Sequence, residues 1–291
     1  MNTMVLPVAV AVVLAAMTAA GVQAQPSVEE LLVRVGQRVA DFYTRAQSVI
    51  CIETSTVQAV DLGNSPVGFM RTVESELRIE ADSGQVSGEA AIVRKVRKVN
   101  GRVPREKDKK DRSGCTDPNP LSSEPLMFLL PSNREAYRFR SAGMTKDRGR
   151  TVLTIDFASV NRRSKAELIE DRNGHDDCFD WSGHIAARGR IWVDAANYDV
   201  IRVDRGTGGP VDVNVPTLIR RRYRFDTPVV IVRDDVTIRY KTVAFSDPEE
   251  ELHLPESIDT FTVIRGGLQS TRRNQRFSEY KRFVTAGRVL E

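Results

Sequence analysis

Gly189-Arg190-Ile191-Trp192-Val193-Asp194, followed by Ala195-Ala196-Asn197 and then Tyr198-Asp199-Val200-Ile201-Arg202, is the stretch on which the fold turns. Two runs rich in β-branched and aromatic residues, Gly189–Val193 and Asp199–Asp204, flank Asp194-Ala195-Ala196-Asn197, a polar group that reads as a turn. The same style recurs on both sides. Upstream, Val49–Val60 and Phe69–Ala81 read as strands, the second with Leu77 and Ile79 alternating against Glu76, Arg78 and Glu80. Ala90–Val99 runs into Asn100-Gly101, a hairpin-turn dipeptide, and Ala136–Ser141 and Thr151–Ser159 flank a turn at Lys146–Gly149. Downstream, Leu218–Phe225, Val236–Phe245, Ser257–Ile264 and Gln275–Val284 complete the set. Strands at this density predict a mainly β (α+β) chain built on a large curved antiparallel sheet.

One helix precedes the strands. Ser27 with Glu30 three residues on forms a capping box, with Pro26 just outside. Leu31, Leu32, Val35, Val39, Phe42 and Tyr43 then share one face, and Arg34, Gln37, Arg38 and Asp41 the other, to an end near Gln47. A single amphipathic helix cannot bury its own stripe, so Leu32, Val35, Val39 and Phe42 are expected to cover the sheet. Pro125–Leu130 reads as a short helix stopped by Pro131, after a charged, unpatterned stretch over 104–123 that is too long for an ordinary connector.

Met1–Ala24 carries no Lys, Arg, Asp or Glu, and Val5–Ala20 is an apolar run ending in Gly21-Val22-Gln23-Ala24. It reads as a cleavable signal peptide over residues 1–24, although its first residues lack a basic side chain. The alternative is a membrane anchor, for which the run falls short of the ~20 residues a span needs. No Cys stands at the cleavage site to carry a lipid. Residues 25–291 are then expected to form one β-rich domain in the periplasm or outside the cell, not membrane-spanning after cleavage. Lys and Arg number 43 against 39 Asp and Glu, and the basic clusters at 107–112, 220–222 and 272–273 lie among acids or at strand ends. That is a mixed, solvated surface and argues against nucleic acid as a partner.

The chain has three cysteines and three histidines. Cys115 and Cys178 sit in polar, turn-rich loops and are expected to pair in an oxidising compartment, leaving Cys51 as a buried thiol inside an apolar strand; a bridge from Cys51 to either of them is the alternative. His175, Asp176, Asp177, Cys178 and His184 form the one local group of potential metal ligands, with His253 far off in sequence. Zinc wants a more fixed set of nitrogen and sulfur donors, so neither metal nor cofactor is expected. No Ser sits in a Gly-x-Ser-x-Gly elbow. Asp234-Asp235 and Glu249-Glu250-Glu251 are neighbours that a strand would point to opposite faces, and they read as solubilising charge. Trp181 and Trp192 read as packing residues, Trp181 beside a disulfide and Trp192 on a sheet face. A metal-dependent enzyme is left as a remote alternative.

The hairpin at Trp192 resembles one found in outer-membrane lipoprotein-carrier-like (LolA/LolB-like) half-barrel proteins, where a strand ending in Asp turns and returns with a hydrophobic-Arg pair. The order of Cys115-Thr116-Asp117-Pro118, Glu124-Pro125-Leu126 through Leu129-Leu130-Pro131, that hairpin, Leu252-His253-Leu254-Pro255 and Phe277-Ser278-Glu279-Tyr280-Lys281-Arg282-Phe283 is similar to a group of uncharacterised secreted proteins of soil bacteria. The resemblance implies a helix over the concave side of a half-barrel and, in the carriers, an acyl chain or lipoprotein anchor held between them by a general apolar lining. Two partners follow from it: a lipid or acylated protein in an open cavity or, with the cavity filled by side chains, an envelope protein bound at the sheet edges.

Overall fold

The computed structural model describes residues 26–46, 49–61, 63–81, 90–105, 126–170, 179–246 and 249–282. Helix α1 (Val28–Arg45) leads into β1 (Val49–Val60), β2 (Pro66–Ala81) and β3 (Ala90–Val99). A 3-10 turn at Met127–Leu129 and the short helix α2 (Pro131–Arg134) precede β4 (Tyr137–Asp147), β5 (Arg150–Ser159), β6 (Lys165–Glu170) and β7 (Phe179–His184). β8 (Ala187–Asp194), β9 (Val200–Thr207) and β10 (Val211–Asn214) lead to α3 (Thr217–Tyr223), and β11 (Val229–Ser246), β12 (Glu249–Arg265) and β13 (Ser270–Arg282) close the order.

The strands form one 13-stranded sheet whose main path runs β3-β2-β1-β13-β12-β11-β9-β8-β5-β4. It is curved and not closed into a barrel. The chain therefore joins its first strands to its last: β1 pairs with β13 from Val49↔Arg282 to Val60↔Ser270. A branch leaves this path, with β10 pairing β11 and β6, and β6 pairing β7. The β10–β6 contact is parallel, Val213↔Ala166 and Asn214↔Glu167, an exception in an otherwise antiparallel sheet.

The opening hairpin is β8 and β9, in register from Ala187↔Thr207 to Trp192↔Arg202. Its turn is held by side chains as well as backbone: Ala196 N donates to Asp194 Oδ1 at 2.8 Å, and Asp199 N to Asn197 Oδ1 at 3.1 Å. Tyr198 takes positive φ there, 64°. Gly189 is needed for close approach, since a Cβ would lie 1.9 Å from the Asp204 carbonyl oxygen and 2.8 Å from the Phe157 ring. β4 and β5 are joined by Arg148-Gly149, both at positive φ, the two-residue turn whose twist matches the strands.

One expectation is corrected here. Leu218–Phe225 is no strand: Thr217–Tyr223 is helix α3, with Pro216 at its N-cap, Ile219 buried and Arg224 closing it in a left-handed conformation. Leu218 is 82% exposed and points away from the core. The short helix expected over 125–130 is the 3-10 turn at Met127–Leu129, which ends before Pro131; Pro131 in turn opens α2, because a proline at the first helical position sacrifices no hydrogen bond. Strands β6, β7 and β10 carry too few alternating residues to be read from sequence. They pack with α3 on a second cluster that includes Leu168, Val213, Ile219 and Ile231. Residues 1–24, read as a signal peptide, and Cys115 and Cys178, expected to pair, lie outside the described residues.

Candidate functional site

Helix α1 is built as its sequence demands. Ser27 Oγ accepts from Glu30 N at 3.2 Å while Ser27 N donates to Glu30 Oε2 at 3.1 Å, closing the capping box. The helix lies against the inner face of the sheet. Leu32, Val35 and Val39 are buried at 5%, 0% and 2% exposure, in one cluster with Leu153, Ile155 and Phe157 of β5, Ile191 and Val193 of β8, Val203 of β9, Ile238 of β11 and Ile258 of β12. Phe42 is half-buried against a smaller group, Val49, Phe245, Leu252 and Leu254. These side chains occupy the space between helix and sheet.

The segment before β4 flanks the helix. Arg134 reaches over Gly36, donating to the Leu32 carbonyl at 2.9 Å and the Leu129 carbonyl at 3.1 Å. A Cβ on Gly36 would lie 2.5 Å from that guanidinium, which is why a glycine sits mid-helix. Burial holds Arg134 below its ordinary pKa. Leu126 N donates to the Tyr43 hydroxyl at 3.0 Å. Phe128 packs on Phe157 and Tyr137, centroids 4.7 and 5.4 Å away, so the edge strand β4 and this segment share an aromatic seam.

At the rim the helix is clamped by its arginines. Arg34 donates to the Tyr198 hydroxyl at 2.7 Å and Arg38 to Asp199 Oδ1 at 2.9 Å. The hydrogen bond to Asp199 holds Arg38 above its usual pKa. Arg45 bonds Glu250 Oε2 at 3.1 Å and the Glu251 carbonyl at 2.9 Å, and Arg282 bonds Glu250 from the other side. Burial pushes the Glu250 carboxyl upward, but the Arg282 and Arg45 hydrogen bonds outweigh it and hold it below its ordinary value. This corrects the reading of 249–251 as solubilising charge for Glu250 alone, which joins α1 to β13; Glu249 and Glu251 are exposed as expected. The sequence signal for it is an acid at a strand start, which is too common to single out.

Polar groups on the floor are few. Tyr240 is buried with no hydrogen-bond partner for its hydroxyl, and its ring stacks on His253 at 6.0 Å and 20°. Burial pushes the Tyr240 phenol well up and holds His253 below its usual pKa, so the imidazole is neutral near pH 7. Cys51 is a free, buried thiol that burial pushes up to about 12, the opposite of a reactive thiolate.

The remaining candidates are dispersed. Trp192 lies on the face opposite Ile191 and Val193, 4.4 Å beneath the Arg202 guanidinium. Trp181 packs on the second cluster. His184 is exposed, its Nε2 3.0 Å from the Asn161 carbonyl, while His175, Asp176, Asp177 and Cys178 lie outside the described residues. Asp234 accepts from Thr262 Oγ1 at 2.7 Å and Asp235 pairs with Arg233. Among the described residues no three potential metal ligands come together. An open groove of about 650 Å³ at the β6–β10 junction, with Lys165, Glu167, Asp212 and Asn214 in its wall, is separate from the helix compartment.

Fold and site together define an open, curved antiparallel sheet with a helix seated on its inner face over an aliphatic floor. Solved structures that it is similar to include a lipoprotein-sorting protein domain from Vibrio parahaemolyticus, at 12% identity and TM-score 0.35, covering 88% of this chain and 94% of that one. A LolA superfamily protein from Nitrosomonas europaea matches at 9% identity and TM-score 0.36, covering 89% and 95%. A DUF1329 family protein from Desulfovibrio piger matches at 8% identity and TM-score 0.42, covering 90% and 95%. No family model matches the chain, and no curated protein does. At these identities and scores, the functional reading rests on the chain's own geometry.

Proposed function

We propose that this chain is an exported, periplasmic binding protein that holds the apolar chain of a lipid or acylated protein between α1 and the inner face of the sheet. One observation carries the reading: α1 meets the floor through aliphatic side chains, Leu31, Leu32, Val35 and Val39, and is fastened at the rim by partly exposed arginines. Arg38 and Arg45 are 42% and 43% exposed in their pairs with Asp199 and Glu250. Partly exposed pairs of this kind contribute about 0–1 kcal/mol each. The main attachment is therefore apolar contact, which an acyl chain can replace at about 0.8 kcal/mol per buried methylene. The side chains of the helix then give way to the acyl chain on the same aliphatic floor. Export rests on the signal reading of residues 1–24.

The test is native mass spectrometry on protein released from the envelope without detergent, before and after solvent extraction. An acyl-bearing species removed by extraction is expected, as is uptake of added 1-dodecanol by the extracted protein. A ligand-free protein that takes up no dodecanol overturns the reading. A second reading, an interaction module for an envelope protein, is favoured by one feature. Gly68, Phe69 and Met70 stand in β2 at a bulge opposite Gln58, leaving Phe69 101% exposed. A stoichiometric protein partner lost on Phe69→Ser, with no acyl species present, would favour that reading instead.

A further inference from the structure

The two most exposed large apolar side chains among the described residues are Phe69, at 101%, and Leu218, at 82%. The sheet brings both to one end. There β1 finishes and β2 begins, with Val60 opposite Pro66, and β13 begins beside them, with Val60 opposite Ser270. β12 finishes next to the start of β11, with Arg265 opposite Val230. β10 also finishes there, with Val213 opposite Val229, and α3 connects it to β11. From β2 to β11 is a matter of four strand spacings, about 19 Å along the sheet.

Each side chain is held outward by its own local structure. On β2, residues 68–70 stand opposite Gln58 alone, between the pairs Val57↔Arg71 and Ala59↔Val67. Gly68 takes a φ of 68° in this bulge, and Gln58 Nε2 donates to the Val67 carbonyl at 2.7 Å. On α3, Ile219 and Phe225 anchor the inner side in the second cluster, and Arg220 Nη1 donates to the Phe225 carbonyl at 3.3 Å. The helical period then puts Leu218, Arg221 and Arg222 together on the outer side. Arg222 is paired with Glu170 at 3.3 Å. Arg221, Arg224 and, at the end of β12, Arg265 are exposed and make no side-chain hydrogen bond or ion pair among the described residues. The Asp61 carboxylate is taken up in its own turn, accepting from Gly63 N and Ser65 N, which leaves Asp226 as the acid next to α3.

We propose that this end of the sheet docks on the surface of an anionic phospholipid bilayer. Phe69 and Leu218 enter the boundary between headgroups and acyl chains, and Arg221, Arg224 and Arg265 face the lipid phosphates. The inference does not rest on the acyl-chain reading, because neither apolar side chain belongs to the helix-covered cluster. The spacing favours a bilayer over a protein partner. A protein interface is organised round a packed, contiguous apolar core, whereas these are separate protrusions about four strands apart. A fluid bilayer takes up isolated apolar side chains one by one, and its anionic headgroups attract the cations beside them. Leu218 buries almost nothing in the fold, so its place among arginines is accounted for by an apolar phase outside the protein.

Co-sedimentation of the full chain with vesicles tests this, using phosphatidylcholine alone and an equal mixture of phosphatidylcholine and phosphatidylglycerol. The mixed vesicles are expected to bind about tenfold or more tightly, with the advantage shrinking as salt is raised. The double variant Arg221→Gln with Arg224→Gln should lose about tenfold on the mixed vesicles. Phe69→Ser and Leu218→Ser should each weaken binding about fivefold or more on the same vesicles. All of these side chains are exposed, so the variants should melt at the temperature of the original protein. No binding to the mixed vesicles, equal binding to both kinds, or unchanged binding by the serine variants overturns the proposal. Saturating 1-dodecanol is expected to leave vesicle binding intact. Abolition by dodecanol would place the contact in the helix compartment, overturning the docking end while leaving the acyl-chain reading standing.

Discussion

The inner face of the sheet is two surfaces at opposite ends of its strand order. Where β5, β8, β9 and β11 meet α1, the buried residues are Leu153, Ile155, Ile191, Val193, Val203 and Ile238, an aliphatic floor. Where β1 meets β2, β3 and β13, the equally buried positions are Glu53, Ser55, Ser75 and Gln275, with Arg71 only slightly less so. Burial is alike on the two sides; what differs is how it is satisfied. The first half is stabilised by dry packing, at about 25 cal/mol per Å² of apolar area removed from water. The second needs its charges matched, as Glu53 is by Arg94 and Gln275. A half that relies on packing should fail on insertion of any charge. A half that relies on matching should fail on removal of one partner and tolerate removal of both.

Val39→Asp tests the first half and should have the largest effect. Val39 is 2% exposed beneath the helix, in a cluster of apolar neighbours. Burying a carboxylate there should cost on the order of 3–5 kcal/mol, measured by urea unfolding. A loss under about 1 kcal/mol would mean that α1 is easily displaced and would remove the distinction between the halves on that side.

Arg94→Met tests the second. It leaves the fully buried Glu53 with Gln275 alone, and breaking a buried pair from one side costs about 3 kcal/mol or more. The informative comparison is with the double variant Glu53→Leu with Arg94→Met. Replacing both members of a buried pair by apolar groups is often close to neutral, so this protein should recover to within about 2 kcal/mol of the original in the same urea measurement. A double variant as unstable as the single one would mean that the pair holds β1 to β3.

Much of this architecture was legible in the residues. Leu32, Val35 and Val39 stand at 3.6-residue spacing behind a capping box, and both features depend on neighbours in the chain alone. β1, β3 and the β8–β9 hairpin were readable for the same reason. Their boundaries were less so: β4 runs six residues past Ser141, because Ala142–Asp147 lack alternation and are held by pairing with β5. The polar half could not be read. Glu53 and Ser55 look like ordinary polar positions in a strand, and only the pairing of β1 with β13, across 222 residues from Glu53 to Gln275, shows that they face inward. The helix α3 error has a related cause, since a seven-residue segment carries too few positions to separate a period of two from one of 3.6.

The smallest effect is expected at the rim, where the two halves are tied to the same helix. Glu250 sits between Arg45 of α1 and Arg282 of β13, and its carboxyl is held below its ordinary value of 4.5 by those hydrogen bonds, against burial. A depressed folded-state pKa means that the unfolded chain binds its proton first as the pH falls. The stability from this group is therefore fully present above about pH 4.5 and is lost as the pH drops through the lower folded value. Glu250→Gln keeps the shape and removes the charge, and at pH 7 it should cost about 1 kcal/mol, in the range of a partly exposed pair after solvent screening. The original protein and the variant should then converge on acidification, because a protonated Glu250 and the glutamine amide of the variant offer the arginines similar neutral acceptors. Thermal melts from pH 7 to pH 3 give the difference directly. A gap that stays constant across that range would show that Glu250 acts through packing. A gap that closes only below pH 4.5 would show that α1 is fastened at this end by charge, so that acid loosens the clamp while leaving the aliphatic floor untouched.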